Sequence, residues 1–228
     1  MMQQRFVWLD LWRSLAVLVM LVFHALWDLE LFGTLPAGTM ETPAADVVRY
    51  VFGGSFILIS GLVVLRGRQP LRRGFLLLCL GLAVAVVTTL IGLPVQFGIL
   101  TLLGLCMLPC GALRGPLLKL RGPWMAAVSL ALFVGTWVLT ARVRVEAGWL
   151  FPLGLRRADF FSADYWPLVP WGFLYLLGAA LSGYLPETAK AGDRAPALTF
   201  PGRHSLVIYL VHQPVLYGLC LLLVGKGQ

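Results

Sequence analysis

Seven apolar stretches make up most of this 228-residue chain. Each is close to the roughly 20 residues that span a hydrocarbon core of about 30 Å. They cover residues 9–32, 47–65, 74–93, 97–113, 123–140, 166–183 and 204–224. Hydrocarbon offers no water to backbone N–H and C=O groups, so a spanning segment must be a helix or part of a closed barrel. Barrel strands need only about 10 residues, and these runs are far longer. The expected fold class is all-α: a polytopic integral membrane helix bundle of about seven transmembrane helices, with residues 1–228 forming a single transmembrane domain. The fourth run is the shortest, ends at Pro109 and Gly111, and joins the third through the tight connection GLPVQ at 92–96. Composition closes off the alternatives. Charged residues make up 12% of the chain, about half the usual share of a soluble domain, too few to cover a water-facing surface. With 59% hydrophobic residues the chain is not disordered either. Cys79, Cys106, Cys110 and Cys220 lie in or beside apolar runs and read as small buried hydrophobes. Cys106 and Cys110 have no His, Asp or Glu beside them, so no metal is expected.

The loops set the expected orientation. Arg66, Arg68, Arg72 and Arg73 lie between the second and third runs, Arg114, Lys119 and Arg121 between the fourth and fifth, Lys190, Arg194 and Arg203 between the sixth and seventh, and Arg5 precedes the first. The first loop on the other side holds Asp28, Glu30, Glu41 and Asp46 against Arg49 alone. The positive-inside rule then puts the N-terminus in the cytoplasm and the C-terminus outside. The net charge of +8 belongs to these loops, and no nucleic-acid partner is expected. Arg142, Arg144, Arg156 and Arg157, diluted by Glu146, Asp159 and Asp164, are the exception on the outer side. They suit either an anionic substrate or the pinning of an interfacial segment. Residues 184–203, rich in Pro, Ala and charge, read as a cytoplasmic linker. Asp10 and Arg13 at the start of the first run, with no small-residue cleavage site after it, argue against a cleaved signal peptide.

Ionisable groups inside spans are costly and mark function by default. Asp10 and Arg13 are three apart on one face near the cytoplasmic end of the first run, placed for an ion pair or for an anionic cofactor. His24 lies about 16 Å deeper at 1.5 Å per residue. Asp28 follows at i+4, where its carboxylate can accept from one imidazole nitrogen and leave the other to take a proton. The structural alternative is a histidine satisfied by a neighbouring helix and an aspartate that caps a loop. In the last run, GRHSLVIYLVHQP at 202–214, His204 and Arg203 lie near the cytoplasmic surface, where they could meet phosphate. His212, Gln213 and the helix-disturbing Pro214 lie deeper. A cavity and plain interhelical bonding both fit that pattern. Asp164 precedes Tyr165, Trp166 and Pro167 at the outer end of the sixth run, where it either caps that helix or orients an acceptor hydroxyl or amine. Ser55, Ser60 and Gly61 permit close helix contact. Small residues of the second, third and sixth runs suit internal packing and a homodimer equally. No phosphate-cradling loop, nucleophile elbow or zinc-protease pair is present.

Five blocks in order, LDLWRSLAVLVMLVFHALWDL, FGGSFILISGL, QFGILTLLGL, DYWPLVPW and GRHSLVIYLVHQP, span about residues 5–217. Together they resemble the bacterial members of the heparan-alpha-glucosaminide N-acetyltransferase catalytic-domain family. Trp12-Arg13-Ser14 departs from that family's usual Leu-Arg-Gly. Loss of the glycine predicts slightly looser packing at the cytoplasmic end. The resemblance implies a membrane acyltransferase of the bacterial inner (cytoplasmic) membrane. Its animal enzyme carries acetyl from cytoplasmic acetyl-CoA to the amino group of a terminal glucosamine across the membrane, and a histidine is implicated. On this basis the donor substrate is acetyl-CoA or another acyl-CoA, and the acceptor an amino sugar or cell-envelope glycan on the outer side. The resemblance makes His24 the candidate catalytic residue, with Asp28 its partner, and His212 and Asp164, from their own positions, complete the expected catalytic set. Arg13, Arg203, His204, Arg72 and Arg73 become the expected phosphate contacts of the donor. The alternative is a multi-pass transporter of a sugar or lipid-linked solute that makes no acyl transfer.

Overall fold

Backbone groups in hydrocarbon must bond within their own segment, and all seven apolar runs are helical in the computed structural model, which describes residues 6–185 and 196–223. The helices are α1 (Val7–Leu31), α2 (Pro43–Val64), α3 (Pro70–Leu90), α4 (Ile99–Ala112), α5 (Arg114–Leu120), α6 (Pro123–Arg142), α7 (Leu168–Leu181), α8 (Pro196–Arg203) and α9 (Ser205–Leu223). Pro70 and Pro123 open their helices, where a missing N–H costs nothing. Among the described residues there is no strand, only an isolated bridge between Arg144 and Arg156.

Five of these helices, α1, α2, α3, α6 and α9, are long and apolar enough to cross a membrane, and α4 with α5 makes a sixth if a pair bent by 85° counts as one span. The chain is thus a multi-pass helical membrane protein. The expected fourth and sixth runs are shorter as helices than as apolar sequence. Residues 92–98 and 154–167 remain non-helical and take up part of their length. Of the expected linker at 184–203, residues 186–195, with Lys190 and Arg194, lie outside the described residues, as does Arg5. Its last eight residues are not a linker but helix α8.

The chain forms two compact units, residues 57–185 and residues 1–56 with 186–228. In the first, close helix approach follows from glycine. A Cβ on Gly61 of α2 would run into the Tyr175 carbonyl of α7, and one on Gly178 into the Leu58 carbonyl of α2. The family of small residues expected to permit contact does so here in a reciprocal pair. α3 and α4 are antiparallel. Gly81 faces Thr101, Gly104 faces Leu78, and Gly74 faces Met107 and Leu108. Since α3 continues from Gly81 to Leu90, roughly 13 Å at 1.5 Å per residue, α4 starts well short of that end of α3. α6 and α7 are also antiparallel. Trp171 packs its ring on Trp137 (5.1 Å between centroids) and Phe133 (5.7 Å), while Gly183, just past α7, meets Arg121 just before α6.

In the second unit α1 and α9 run parallel. His24 meets His212, Asp28 meets Gln213, and Phe32 meets Tyr217 (5.2 Å), in rising order along both helices. α8 crosses the start of α1, where a Cβ on Gly202 would strike the Asp10 carbonyl. Beyond α1 the loop folds back on Glu30, whose two carboxylate oxygens accept from the N–H groups of Gly38 (2.6 Å) and Met40 (2.7 Å). Gly38 takes φ +85° to present that amide.

The reciprocal glycine pair makes a packing prediction. Gly178→Ala should lower stability in detergent by about 1–3 kcal/mol, seen as a fall in thermal midpoint. Gly135→Ala, whose Cβ would meet nothing within 4 Å, should leave the midpoint equal or higher.

Candidate functional site

The polar residues of α1 and α9 lie on facing sides of that parallel pair. Asp28 is fully buried, and His212 is 8% exposed. The ring of His24 stands edge-on to that of His212 with centroids 4.9 Å apart. A backbone carbonyl only accepts, so the 2.6 Å contact of His212 Nδ1 with the Tyr209 carbonyl fixes the proton on Nδ1. In the neutral ring Nε2 then carries the lone pair, and this atom is buried. Gln213 Nε2 donates to Asp28 Oδ1 at 2.7 Å. Asp28 Oδ2 and Gln213 Oε1 are buried and have no hydrogen-bond partner among the described residues. The site thus sets two imidazoles beside the Asp28 and Gln213 acceptor oxygens, whose unmet capacity suits a ligand that brings N–H or O–H groups.

The expected contact between Asp28 and His24 is absent: the carboxylate takes its bond from Gln213 instead. The i,i+4 spacing puts both on one face of α1, but the imidazole is turned onto His212, and the short aspartate side chain faces α9. The sequence offers Gln213 as the neighbour of His212, and its role follows from chemistry: a buried carboxyl group needs a donor, and Gln213 is the amide that α9 supplies.

One end of the same pair is cationic. Asp10 and Arg13 form an ion pair at 3.6 Å within α1. Arg203 ends α8, and His204 stands exposed between α8 and α9, with Nδ1 3.0 Å from the Phe200 carbonyl. Ser14 joins the two helices: its hydroxyl donates to the Asp10 carbonyl (2.9 Å) and accepts from the Gly202 N–H (2.8 Å). The looser packing expected from Ser14 in place of glycine is therefore not found. Close approach is supplied from the other side by Gly202, and the serine adds a bond across the contact.

Other expected site residues belong to the first unit. Arg72 and Arg73 stand exposed in the first turn of α3. Asp164 does not cap its own helix α7. Its Oδ2 accepts from the N–H of Ile99 (3.2 Å), the first residue of α4, and its Oδ1 accepts a short bond from Trp166 Nε1. A carboxylate at a helix N-terminus meets the unpaired amides and the positive end of the dipole. Ser162 extends this junction by accepting from Gln96 N–H (2.8 Å) and donating to the Asp164 carbonyl (2.8 Å). Phe97, at φ +60°, turns its carbonyl to the Trp166 N–H (2.9 Å). Both carboxylate oxygens of Asp164 are thus engaged in holding the starts of α4 and α7. Among the described residues no three His, Cys, Asp or Glu side chains are grouped to hold a metal ion.

The family described as "Heparan-alpha-glucosaminide N-acetyltransferase, catalytic" matches residues 5–214, from before α1 through the buried residues of α9. The chain belongs to this family. The match takes in both imidazoles, Asp28, Gln213 and the cationic end of the α1–α8 contact, so the polar cluster falls within a heparan-alpha-glucosaminide N-acetyltransferase catalytic domain and not in an appendage to one. Membership assigns a membrane acetyltransferase-like function. Neither the curated proteins nor the solved structures contain a significant match.

Two expectations follow from these contacts. Gln213→Leu should strand the buried Asp28 carboxylate and destabilise the protein by about 2 kcal/mol or more. Asp28→Leu with Gln213→Leu should recover most of that loss in detergent unfolding, as removal of both partners usually does. The second concerns Tyr165, which donates to the Phe151 carbonyl at 2.5 Å. Burial pushes its phenol up to about 12, against a smaller lowering by Arg156. A phenol raised in the folded state favours folding below its ordinary value near 10 and loses that advantage as pH climbs through about 12. Tyrosinate absorbance should therefore contain a late-titrating component that Tyr165→Phe removes, and stability of the Phe variant should fall less between pH 10 and 12.

Proposed function

We propose that this chain is a membrane acyltransferase that moves an acyl group from acyl-CoA, with acetyl-CoA the first candidate, to an amino or hydroxyl group of an amino sugar or cell-envelope glycan. The observation that carries the reading is the imidazole pair, His24 on His212, set beside the Asp28–Gln213 bond in a chain that belongs to an N-acetyltransferase family. His212 is the general base. Its Nδ1–H is committed to Tyr209, so Nε2 takes the proton from the acceptor as the acceptor attacks the thioester carbonyl. The C–S bond breaks, the acyl group remains on the acceptor nitrogen or oxygen, and the proton passes from the imidazolium to the departing CoA thiolate. His24 is the second imidazole against which that proton is shared. Asp28 Oδ2 and Gln213 Oε1, both lacking a donor, hold the acceptor through its N–H or O–H groups.

Arg13, Arg203 and His204, borne by the elements that the Ser14–Gly202 contact joins, receive the phosphates of the donor, and Arg72 and Arg73 are further candidates for them on sequence grounds. Asp164 acts by fixing the α4 and α7 starts. The membrane is the bacterial inner membrane, the N-terminus is cytoplasmic, and both units serve one transmembrane domain crossed seven times. Helix direction supports that number. Since α1 and α9 are parallel, the crossings from α1 through α9 must be odd in number. The six candidates that include the bent pair need one more. α7, which follows α6 from the level of Trp137 to that of Arg121, supplies it.

Purified protein in lipid nanodiscs, given labelled acetyl-CoA with and without glucosamine, should bind CoA and release free thiol only with the acceptor present. His212→Ala should lower kcat by roughly 100-fold or more with CoA binding kept, and Arg13→Gln with Arg203→Gln should raise KM. Absence of both CoA binding and CoA release would remove the enzymatic reading, and accumulation of an unmodified sugar in vesicles would replace it with transport.

A further inference from the structure

The segment between α6 and α7 carries Arg144, Arg156 and Arg157, and Arg142 ends α6. Arg157 is paired with Asp159 at 3.0 Å. Arg142, Arg144 and Arg156 have no ion-pair partner among the described residues. Arg144 and Arg156 are backbone neighbours across the isolated bridge, tied by the Val145 N–H to the Arg156 carbonyl at 3.1 Å. Like charges set side by side on bridged backbone repel.

Neither arginine is loose. Arg144 Nη1 donates to the carbonyls of Ala141 (3.2 Å) and Val143 (3.1 Å) at the end of α6. The Arg156 guanidinium lies over the Tyr165 ring at 5.3 Å, and that ring is held by its bond to Phe151 and by contact with Phe160 (4.9 Å between centroids). Each guanidinium is thus held in place on adjoining backbone, and charge favours an anion that reaches both. The same segment exposes Trp149 (75%), Leu153 (43%) and Phe161 (57%). It leaves one apolar helix at Arg142 and enters the next at Leu168, so it lies at the level of the bilayer surface. Indole and phenyl rings at that level sit among lipid headgroups.

We propose that Arg144 and Arg156 form a binding site for the phosphate of an anionic phospholipid, with Trp149, Leu153 and Phe161 seated in the surrounding headgroup–acyl boundary. Cations at this depth bind the lipid phosphate by charge-assisted hydrogen bonds, and the apolar side chains select a phosphate that arrives in a membrane over one in solution. The site is independent of the acyl-transfer reading, because it uses none of the residues assigned to that reaction.

The test uses full-length protein in detergent, titrated with phosphatidylglycerol or phosphatidylcholine and followed by native mass spectrometry, with inorganic phosphate as competitor. Wild type should retain phosphatidylglycerol over phosphatidylcholine, with a preference that shrinks as salt rises. Arg144→Gln with Arg156→Gln should reduce that preference by about 30-fold, on the order expected for two surface cations. Arg157→Gln, which removes an already paired charge, should leave it near wild type. Arg144→Lys with Arg156→Lys keeps the charge and guards against a folding failure of the Gln variant by retaining part of the preference. Equal retention of both lipids by wild type, an undiminished preference in the Gln variant, or displacement of the lipid by millimolar inorganic phosphate would each overturn the proposal.

Discussion

A buried carboxylate in a transmembrane helix must have a donor, and the Asp28–Gln213 bond is the interaction on which the α1–α9 arrangement depends. Asp28 is fully buried, where a carboxyl oxygen without a donor is costly. The bond sets the register of two parallel helices. With Gln213 opposite Asp28, His212 falls against His24, and Phe32 meets Tyr217 one turn beyond. A slip by one residue on α9 would turn His212 about 100° away from α1. Between apolar helices in lipid there is little hydrophobic drive to choose among such registers, so the polar contact chooses. The Ser14–Gly202 bond at the other end holds the same alignment through α8.

The unit formed by residues 57–185 is held by different means. There the backbones touch: Gly61 on Tyr175, Gly178 on Leu58, Gly81 on Thr101, and Gly104 on Leu78. Close approach maximises dispersion contact where burial of apolar surface gains little against lipid. The price of the short helices α4 and α7 is two helix starts with unpaired amides, and Asp164 meets it. One side chain caps α4 and also fixes Trp166 at the head of α7. A residue with both oxygens so engaged is a fold determinant first.

What the sequence made legible follows from the physics of each signal. Apolar run length located α1, α2, α3, α4, α6, α7 and α9, because hydrocarbon enforces helix, and missed the short helices α5 and α8, which lie between the runs. It overstated α4 and α7 slightly, because Phe97, Gly98, Trp166 and Pro167 at their starts are apolar yet not helical, and hydropathy does not separate them from helix. The Asp10–Arg13 pair was readable at i,i+3, since both partners lie on one element. Asp28 was singled out correctly as a costly buried group and given the wrong partner: local spacing pointed to His24, while the donor came from a residue 185 positions away. Glu30 read as one more outer-loop charge, yet it binds two backbone amides. Such carboxylate-to-amide contacts leave no trace in residue type.

Helix ends and an ion pair account for most of the arginines around the α6–α7 segment. Arg142 lies in the last turn of α6, and Arg144 donates to two carbonyls at that helix end. Both therefore face the negative end of the helix dipole, which favours them by a few tenths of a kcal/mol to about 1 kcal/mol each. Arg157 is neutralised by Asp159. Of the four, Arg156 alone lacks such an explanation within the segment, since a ring face offsets only part of a cation's charge. Once helix ends and ion pairs are accounted for, the excess charge that remains is local. It sits where Arg156 is bridged to Arg144, the place at which the proposed lipid phosphate would bind.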